Sequence, residues 1–283
     1  MTRSALDTPM MRQYLALKAR HPDAILFFRM GDFYEMFLAD AELAAPILDI
    51  ALTTRDRGKK DAVPMCGVPV HAVDGYIKRL AELGHRVAIC EQVEDPRSAA
   101  GKRLVKRDVV EVVTPGLAGD PDGIEAKHEL ALVAIAPGPC VGLAILDATT
   151  GTFRATDAVA VPKSVLPPLI AEELQRIGPR EILIPASAPP DLEATLSAAL
   201  PSCALTVVAP ESFDADPSGA RPEGLEAAGD PAAARAATAL YAYLSVNQPF
   251  ALAHTSGVRF YRLGDAMVLD AATFAHLELF RNS

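Results

Sequence analysis

Gly31-Asp32-Phe33-Tyr34-Glu35-Met36-Phe37, preceded by the apolar run Ile25-Leu26-Phe27-Phe28, is the stretch that decides the fold. A tight Gly-Asp turn leaves one extended run and leads straight into a second. Side chains alternate faces along a strand, so Phe33, Glu35 and Phe37 point one way and Tyr34 and Met36 the other. An aromatic ring and a carboxylate two residues apart then project together beside a turn. That pairing suits a site that inserts a ring between stacked planar groups and tests one of them with a hydrogen-bond acceptor. It equally suits a core strand that carries one solvated glutamate, since strand phenylalanines are commonly buried. The pattern alone leaves both readings open.

The 283 residues are too many for one typical domain and fit two, and with half of them hydrophobic a sizeable core is within reach. No apolar run approaches the length of a membrane span, and Met1-Thr2-Arg3-Ser4-Ala5-Leu6-Asp7 is no signal peptide. Cys66, Cys90, Cys140 and Cys203 lack paired spacing and read as reduced, mostly buried thiols of a cytoplasmic protein. His21, His71, His85, His128, His254 and His276 are equally scattered, which leaves no metal-ligand pattern.

The net charge of −9 argues against a nucleic-acid partner only until its distribution is read. Residues 1–118 hold 17 Lys/Arg against 16 Asp/Glu, whereas residues 119–283 hold 10 against 20. Two basic clusters, Arg55-Asp56-Arg57-Gly58-Lys59-Lys60 and Lys102-Arg103-Leu104-Val105-Lys106-Arg107, are expected on loops of the first part. Any contact with DNA belongs there, and the acidic second part is expected to keep away from phosphate.

Thr8 and Pro9 predict a helix that runs through Tyr14 and Leu17 to about Arg20. A second helix is expected from about Asp40 to Ala51, shortened or kinked at Pro46. The two prolines of Pro64-Met65-Cys66-Gly67-Val68-Pro69 predict an edge strand or a surface run. Val73, Tyr76, Ile77 and Leu80 mark a helix closed by Gly84. Strands follow at Val87–Cys90 and Val109–Val113. A mixed α/β domain thus occupies residues 1–116, and 117–128 form a linker through Gly119-Asp120-Pro121-Asp122-Gly123. Residues 129–250 form a second domain: three hairpin strands, then alternating helices and strands, a succession that resembles a ribonuclease-H-like layout. Pro210 to Pro231, poor in large apolar residues, is expected to be a long mobile loop. From 251 to 283 a short strand at Met267–Asp270 leads into a helix begun by Leu277 and Leu279. That helix lacks a partner surface, so the chain reads as the front part of a longer protein.

No phosphate-binding loop or nucleophile elbow occurs; Pro96-Arg97-Ser98-Ala99-Ala100-Gly101-Lys102-Arg103 lacks the first glycine and the Ser/Thr after the lysine. Asp147, at a strand end before Thr149-Thr150-Gly151, stands where a ribonuclease-H-like nuclease or resolvase keeps its first metal-binding carboxylate. Neighbouring strands offer no converging partners for a two-metal clamp, so a turn-capping role is expected instead.

Thr8-Pro9-Met10-Met11-Arg12-Gln13-Tyr14, Phe28-Arg29-Met30-Gly31-Asp32-Phe33-Tyr34-Glu35, Pro64 to Ala72 and Val87-Ala88-Ile89-Cys90-Glu91-Gln92 together resemble the bacterial MutS DNA mismatch-repair proteins, in order and spacing. Val113-Thr114-Pro115-Gly116 and Leu269-Asp270-Ala271-Ala272-Thr273 extend the likeness, which is loosest between Pro185 and Pro231. The resemblance implies a mixed α/β mismatch-recognition domain, a ribonuclease-H-like connector domain and the start of a helical lever region. It implies that Phe33 wedges into the minor groove at a mispair, where unstacking costs least. Glu35 takes the role of hydrogen-bonding the displaced base, and phosphates nearby should raise its pKa. It would then discriminate by needing either a base N–H donor or its own proton. Asp32, Arg55, Lys59, Pro64, Met65, Pro69 and His71 are the further expected DNA contacts, the basic ones on phosphate without reading sequence. Implied partners are mismatched duplex DNA, MutL through the connector domain, and a second copy in the full-length homodimer, in a cytoplasmic, nucleoid-associated protein. ATP and Mg belong to the family's ATPase domain, which these residues do not include, so neither cofactor nor catalysis is expected of them. A relative in which Phe33 and Glu35 are merely structural would usually lack the Phe-Tyr-Glu run that is intact here.

Overall fold

Thr8 and Pro9 act as their residue types require: the Thr8 hydroxyl accepts from the Met11 N–H at 3.2 Å, and Pro9 opens helix α1 (Pro9–Arg20). The computed structural model describes residues 5–55, 62–94, 105–119, 130–160, 165–214, 222–228 and 231–263. The chain divides into two units, Met1–Ile124 with Asn247–Pro249 and Glu125–Val246 with Phe250–Ser283, and both mix helices with a sheet.

In the first unit β1 (Ala24–Met30), β2 (Phe33–Phe37), α2 (Ala39–Leu48), β3 (Thr53–Arg55), β4 (Val63–Pro69), α3 (Val73–Glu82), β5 (Arg86–Gln92) and β6 (Arg107–Val113) follow α1. The sheet order is β3-β4-β2-β1-β5-β6. Its neighbours are antiparallel except β1 and β5, which run parallel. Alternation splits the strand residues as the sequence predicts. Phe27, Tyr34, Met36, Cys66 and Val68 pack with α2 and α3 on one face. Leu26, Phe28, Phe37, Val63 and Val112 pack with α1 on the other. Asp40 ties α1 to that arrangement from a buried position. One carboxylate oxygen accepts from the Tyr14 hydroxyl and the Leu26 N–H, both at 3.0 Å, and the other meets Lys18 at 2.8 Å. A buried charge is tolerated only when satisfied in this way.

Two expectations are corrected here. The proline-bearing stretch is no edge strand: β4 lies between β3 and β2, and the three-residue β3 takes the edge. The Pro64 carbonyl accepts from the Leu38 N–H at 2.9 Å, just past the last β2–β4 pair at Phe37 and Met65. A residue's N–H and C=O point to the same side of a strand, so the missing donor falls where the ladder has ended. Arg107 is no loop cation either. It is the first residue of β6 and is buried, with its guanidinium 5.0 Å from the centre of the Phe28 ring and its Nε donating to the Arg29 carbonyl at 2.7 Å.

The second unit has the predicted succession of elements. The antiparallel strands β7 (Ala131–Ala136), β8 (Cys140–Asp147) and β9 (Phe153–Val159) come first. They are followed by α4 (Pro168–Ile177), β10 (Glu181–Pro185), α5 (Pro190–Ala199), β11 (Ala204–Val208) and α6 (Pro231–Asn247). β10 joins β7 and β11 joins β10, both in parallel, so the order with β12 (Arg259–Phe260) is β11-β10-β7-β8-β9-β12. The last strand, β12, pairs parallel with β9, so this early part of the 251–283 stretch adds to the second sheet. Gly142 on β8 allows close approach of α6, because a Cβ there would fall 1.9 Å from the Ala232 carbonyl oxygen. The Pro210 to Pro231 stretch is not wholly a mobile loop. Phe213 is buried, and the Glu223 carbonyl accepts from the Val258 N–H at 2.7 Å. The Met267–Asp270 strand, its following helix and most of the 117–128 linker lie outside the described residues.

Candidate nucleic-acid interface

The Gly31-Asp32 turn is tied at three points. Gly31 adopts a φ of +63°, which a side chain would strain. Met30 and Phe33 pair directly across the turn, and the Asp32 carbonyl accepts from the Val70 N–H at 3.0 Å. Directly opposed residues of a ladder share a face, so Met30, Phe33 and Pro69 form one row and Phe28, Glu35 and Gly67 the next. This is the face on which α1 packs, but α1 covers only its far part. Phe37 and Phe28 are fully buried, whereas the Phe33 ring is 48% exposed. Of the three residues that alternation places together, the structure buries one, half-buries Glu35 and leaves Phe33 outside.

Glu35 faces Arg55, whose Nη1 lies 3.5 Å from its Oε2. Gly67 opposite leaves room for it: a Cβ at that position would come 3.2 Å from the Tyr34 carbonyl oxygen and 3.6 Å from the Glu35 Cγ. Burial pushes the Glu35 carboxyl above its ordinary pKa, and the Arg55 and Arg107 cations pull against that without reversing it. The upward direction here comes from the protein's own burial of the group.

Among the other expected contacts, Met65 and Pro69 share the Phe33 face, and Arg55 reaches it from the edge. Pro64 alternates to the opposite face. Asp32 is exposed in the turn and His71 is exposed on a single 3-10 turn, Val70–Ala72. Lys59, with Arg57 and Lys60 of the same cluster, lies outside the described residues, as do Lys102 and Arg103. Sequence reading missed Gly67 and Arg107. The period of two through Val112 and Val109 would have turned Arg107 inward only with knowledge of the bulge that shifts β6 against β5.

Asp147 is buried at the end of β8. The Thr149 and Thr150 hydroxyls donate to its two oxygens at 2.5 and 2.7 Å, and the Thr149 N–H donates at 3.0 Å. Burial alone would raise its pKa, but these hydrogen bonds outweigh it and bring the group below its ordinary range. The turn-capping role is therefore what the geometry shows. Among the described residues no group of three or more His, Cys, Asp or Glu is placed to hold a metal ion, and no helix is long and apolar enough to cross a membrane.

Comparison with known proteins gives this chain a set of relatives. Residues 8–122 match the family model described as MutS domain I. Over 98% of its length the chain is 42% identical to the DNA mismatch repair protein MutS of Desulforapulum autotrophicum. It is 43% identical over 97% to that of Desulfosudis oleivorans and 42% identical over 98% to that of Symbiobacterium thermophilum. In each case it covers 32% of the relative, so it spans about a third of the length of the proteins it matches. The domain-I match contains the whole Phe33 hairpin, and the similarity to MutS proteins runs along nearly all of the chain's residues.

Proposed function

We propose that this chain recognises mispaired or unpaired bases in double-stranded DNA for mismatch repair, with Phe33 entering the minor groove and Glu35 hydrogen-bonding the displaced base. The observation that carries the reading is the Phe33 ring, half exposed beside a tethered turn while its strand-mate Phe37 is buried. Inserting a ring unstacks a base step at a cost of a few kcal/mol, least where the pair is already broken, so deformability supplies the selectivity. Glu35 suits the second role because it lies half-buried on the Phe33 face, where burial favours its acid form more than in a free carboxyl. The carboxylate accepts from a base N–H, and the acid donates to a base nitrogen or carbonyl. Met65 and Pro69 supply apolar contact along the same groove, while Arg55, Lys59 and His71 engage phosphate and Asp32 lies at the turn.

The second unit acts as a connector that relays conformational state toward an ATPase and toward MutL, within a homodimeric, cytoplasmic and nucleoid-associated full-length protein. We assign no catalytic step, nucleotide or metal to these residues. The saturated carboxylate of Asp147 supports that assignment over a nuclease reading.

Fluorescence anisotropy at low salt tests the proposal by comparing a duplex with one unpaired thymine against its matched twin. The expected result is a preference for the unpaired duplex that falls by about 1–3 kcal/mol in Phe33→Ala, the worth of one base–aromatic stack. Equal binding of both duplexes by both proteins would reduce the interaction to phosphate attachment and remove the case for Phe33.

A further inference from the structure

Behind the strand that carries Phe33, on the opposite face of the sheet, stands a row of three polar side chains from three neighbouring strands. Tyr34 of β2 is opposite Arg29 of β1, and Glu91 of β5 follows Cys90, the residue paired with Phe28. The Arg29 Nη1 donates to Glu91 Oε1 at 3.2 Å, and the Tyr34 hydroxyl donates to the same oxygen. The guanidinium lies 5.4 Å from the centre of the Tyr34 ring, and its Nε donates to the Gly31 carbonyl at 2.6 Å. Arg29 thus grips the turn with one edge of its fork and the neighbouring strand with the other. Arg29 and Glu91 are 25% and 31% exposed, while Tyr34 is buried with the helices on that face, so the row runs from the core to its margin. The Tyr34 hydroxyl, desolvated and held by Glu91, is pushed up to about 12 and stays a donor.

We infer that Arg29, Glu91 and Tyr34 form a positioning network that holds the Gly31-Asp32 turn rigid so that the Phe33 ring stands at a fixed height above the sheet. The need for it follows from exposure. Phe33 has little side-chain packing to fix it, so its position is inherited from the backbone of a two-residue turn. A ring pressed between base pairs transmits its load to that turn, and a turn that yields would let the ring retract before the duplex opens. An arginine is suited to the task because its planar fork bonds two acceptors at once, which a lysine cannot reproduce. The network acts through Phe33 and touches no base, and this inference rests on the reading of Phe33 as the inserted ring.

Arg29→Lys tests it with two readouts, because lysine keeps the charge and hence the general attraction to phosphate. The first needs no DNA. Hydrogen exchange of the Val70 N–H, which reports the bond to Asp32, is expected to speed up about threefold to tenfold, the net worth of one ordinary hydrogen bond. The second is the preference for an unpaired-thymine duplex, expected to fall by about the same factor while matched-duplex affinity stays within about twofold. Tyr34→Phe, which keeps the buried ring, is expected to move both readouts the same way by less. Unchanged exchange at Val70 would overturn the tether. So would faster exchange throughout the first sheet, including β6, because the row would then be ordinary structural support. Parallel loss of affinity for both duplexes would overturn the positioning role in favour of a phosphate contact. If Phe33→Ala retains the preference, the reading of Phe33 fails on its own, and the Val70 exchange still decides whether the turn is tethered.

Discussion

Glu35 and Asp147 are both carboxylates beside tight turns of a sheet, and the chain treats them in opposite ways. Burial pushes Asp147 up, yet its pKa is lowered, because two hydroxyls and an N–H donate to it from the following turn. Burial pushes Glu35 up as well, and its pKa stays raised, because the Arg55 guanidinium at 3.5 Å, itself 38% exposed, pulls it down without reversing that. Burial raises both groups; the short, oriented donors that Asp147 has and Glu35 lacks reverse the direction in one of them. A carboxylate whose lone pairs are already taken is part of the scaffold. One that is half-buried with acceptor capacity left over is prepared for something that arrives.

The contrast can be broken most forcefully at Asp147. Replacing it with alanine strands its donors, and the second unit is expected to lose about 1–3 kcal/mol in a urea titration while the preference for unpaired DNA is unchanged. Because the folded pKa is depressed, that contribution is present above the unfolded value of about 3.9 and is lost as pH falls through the folded one. The gap between wild type and variant should accordingly close in acid; a gap that persists there would mean the hydrogen bonds do not act through the ionised group. A smaller effect is expected of Gly67→Ala, whose Cβ would crowd the Tyr34 carbonyl and the Glu35 side chain at a cost of about 1 kcal/mol. If Glu35 is the base-testing group, this variant weakens the preference for unpaired DNA and leaves matched binding intact.

The smallest expected effect is the stability change in Glu35→Gln, and there the sign carries the information. A raised folded pKa means that the wild type loses stability as pH rises through that pKa, because the buried group must then ionise. Thermal midpoints of the glutamine variant should therefore exceed those of the wild type at neutral pH and converge below the unfolded value of about 4.3. The reverse sign would show that Arg55 and Arg107 outweigh burial. The contrast between the two carboxylates would then disappear.

The parts of this molecule written locally were legible in its residues. Thr8 and Pro9 declare α1, Gly31 the turn, and alternation the two faces of β2. Asp147 followed by two threonines carries its own hydrogen-bond partners within three residues. What stayed hidden depends on which strands become neighbours. The two prolines of β4 read as an edge because a proline's cost is set by the side its missing donor faces, and that is known only once β2 and β3 flank it. Arg107 read as loop surface because a bulge, invisible in composition, decides its face. Arg29 and Glu91 are 62 residues apart, and nothing in either segment announces the other. Within the candidate site, the exposed ring and its carboxylate were readable from one strand. The groups that hold them in place come from three others.

The parallel pairing of β1 with β5 also sets an order in time. Phe28 has Glu35 as its neighbour on one side and Cys90 on the other. The first pairing needs only a two-residue turn and closes early, whereas the second waits on a long loop and on residues made much later during synthesis. The residues of the Phe33 hairpin are therefore synthesised well before the strand that carries Glu91, and the turn gains that part of its tether only afterwards.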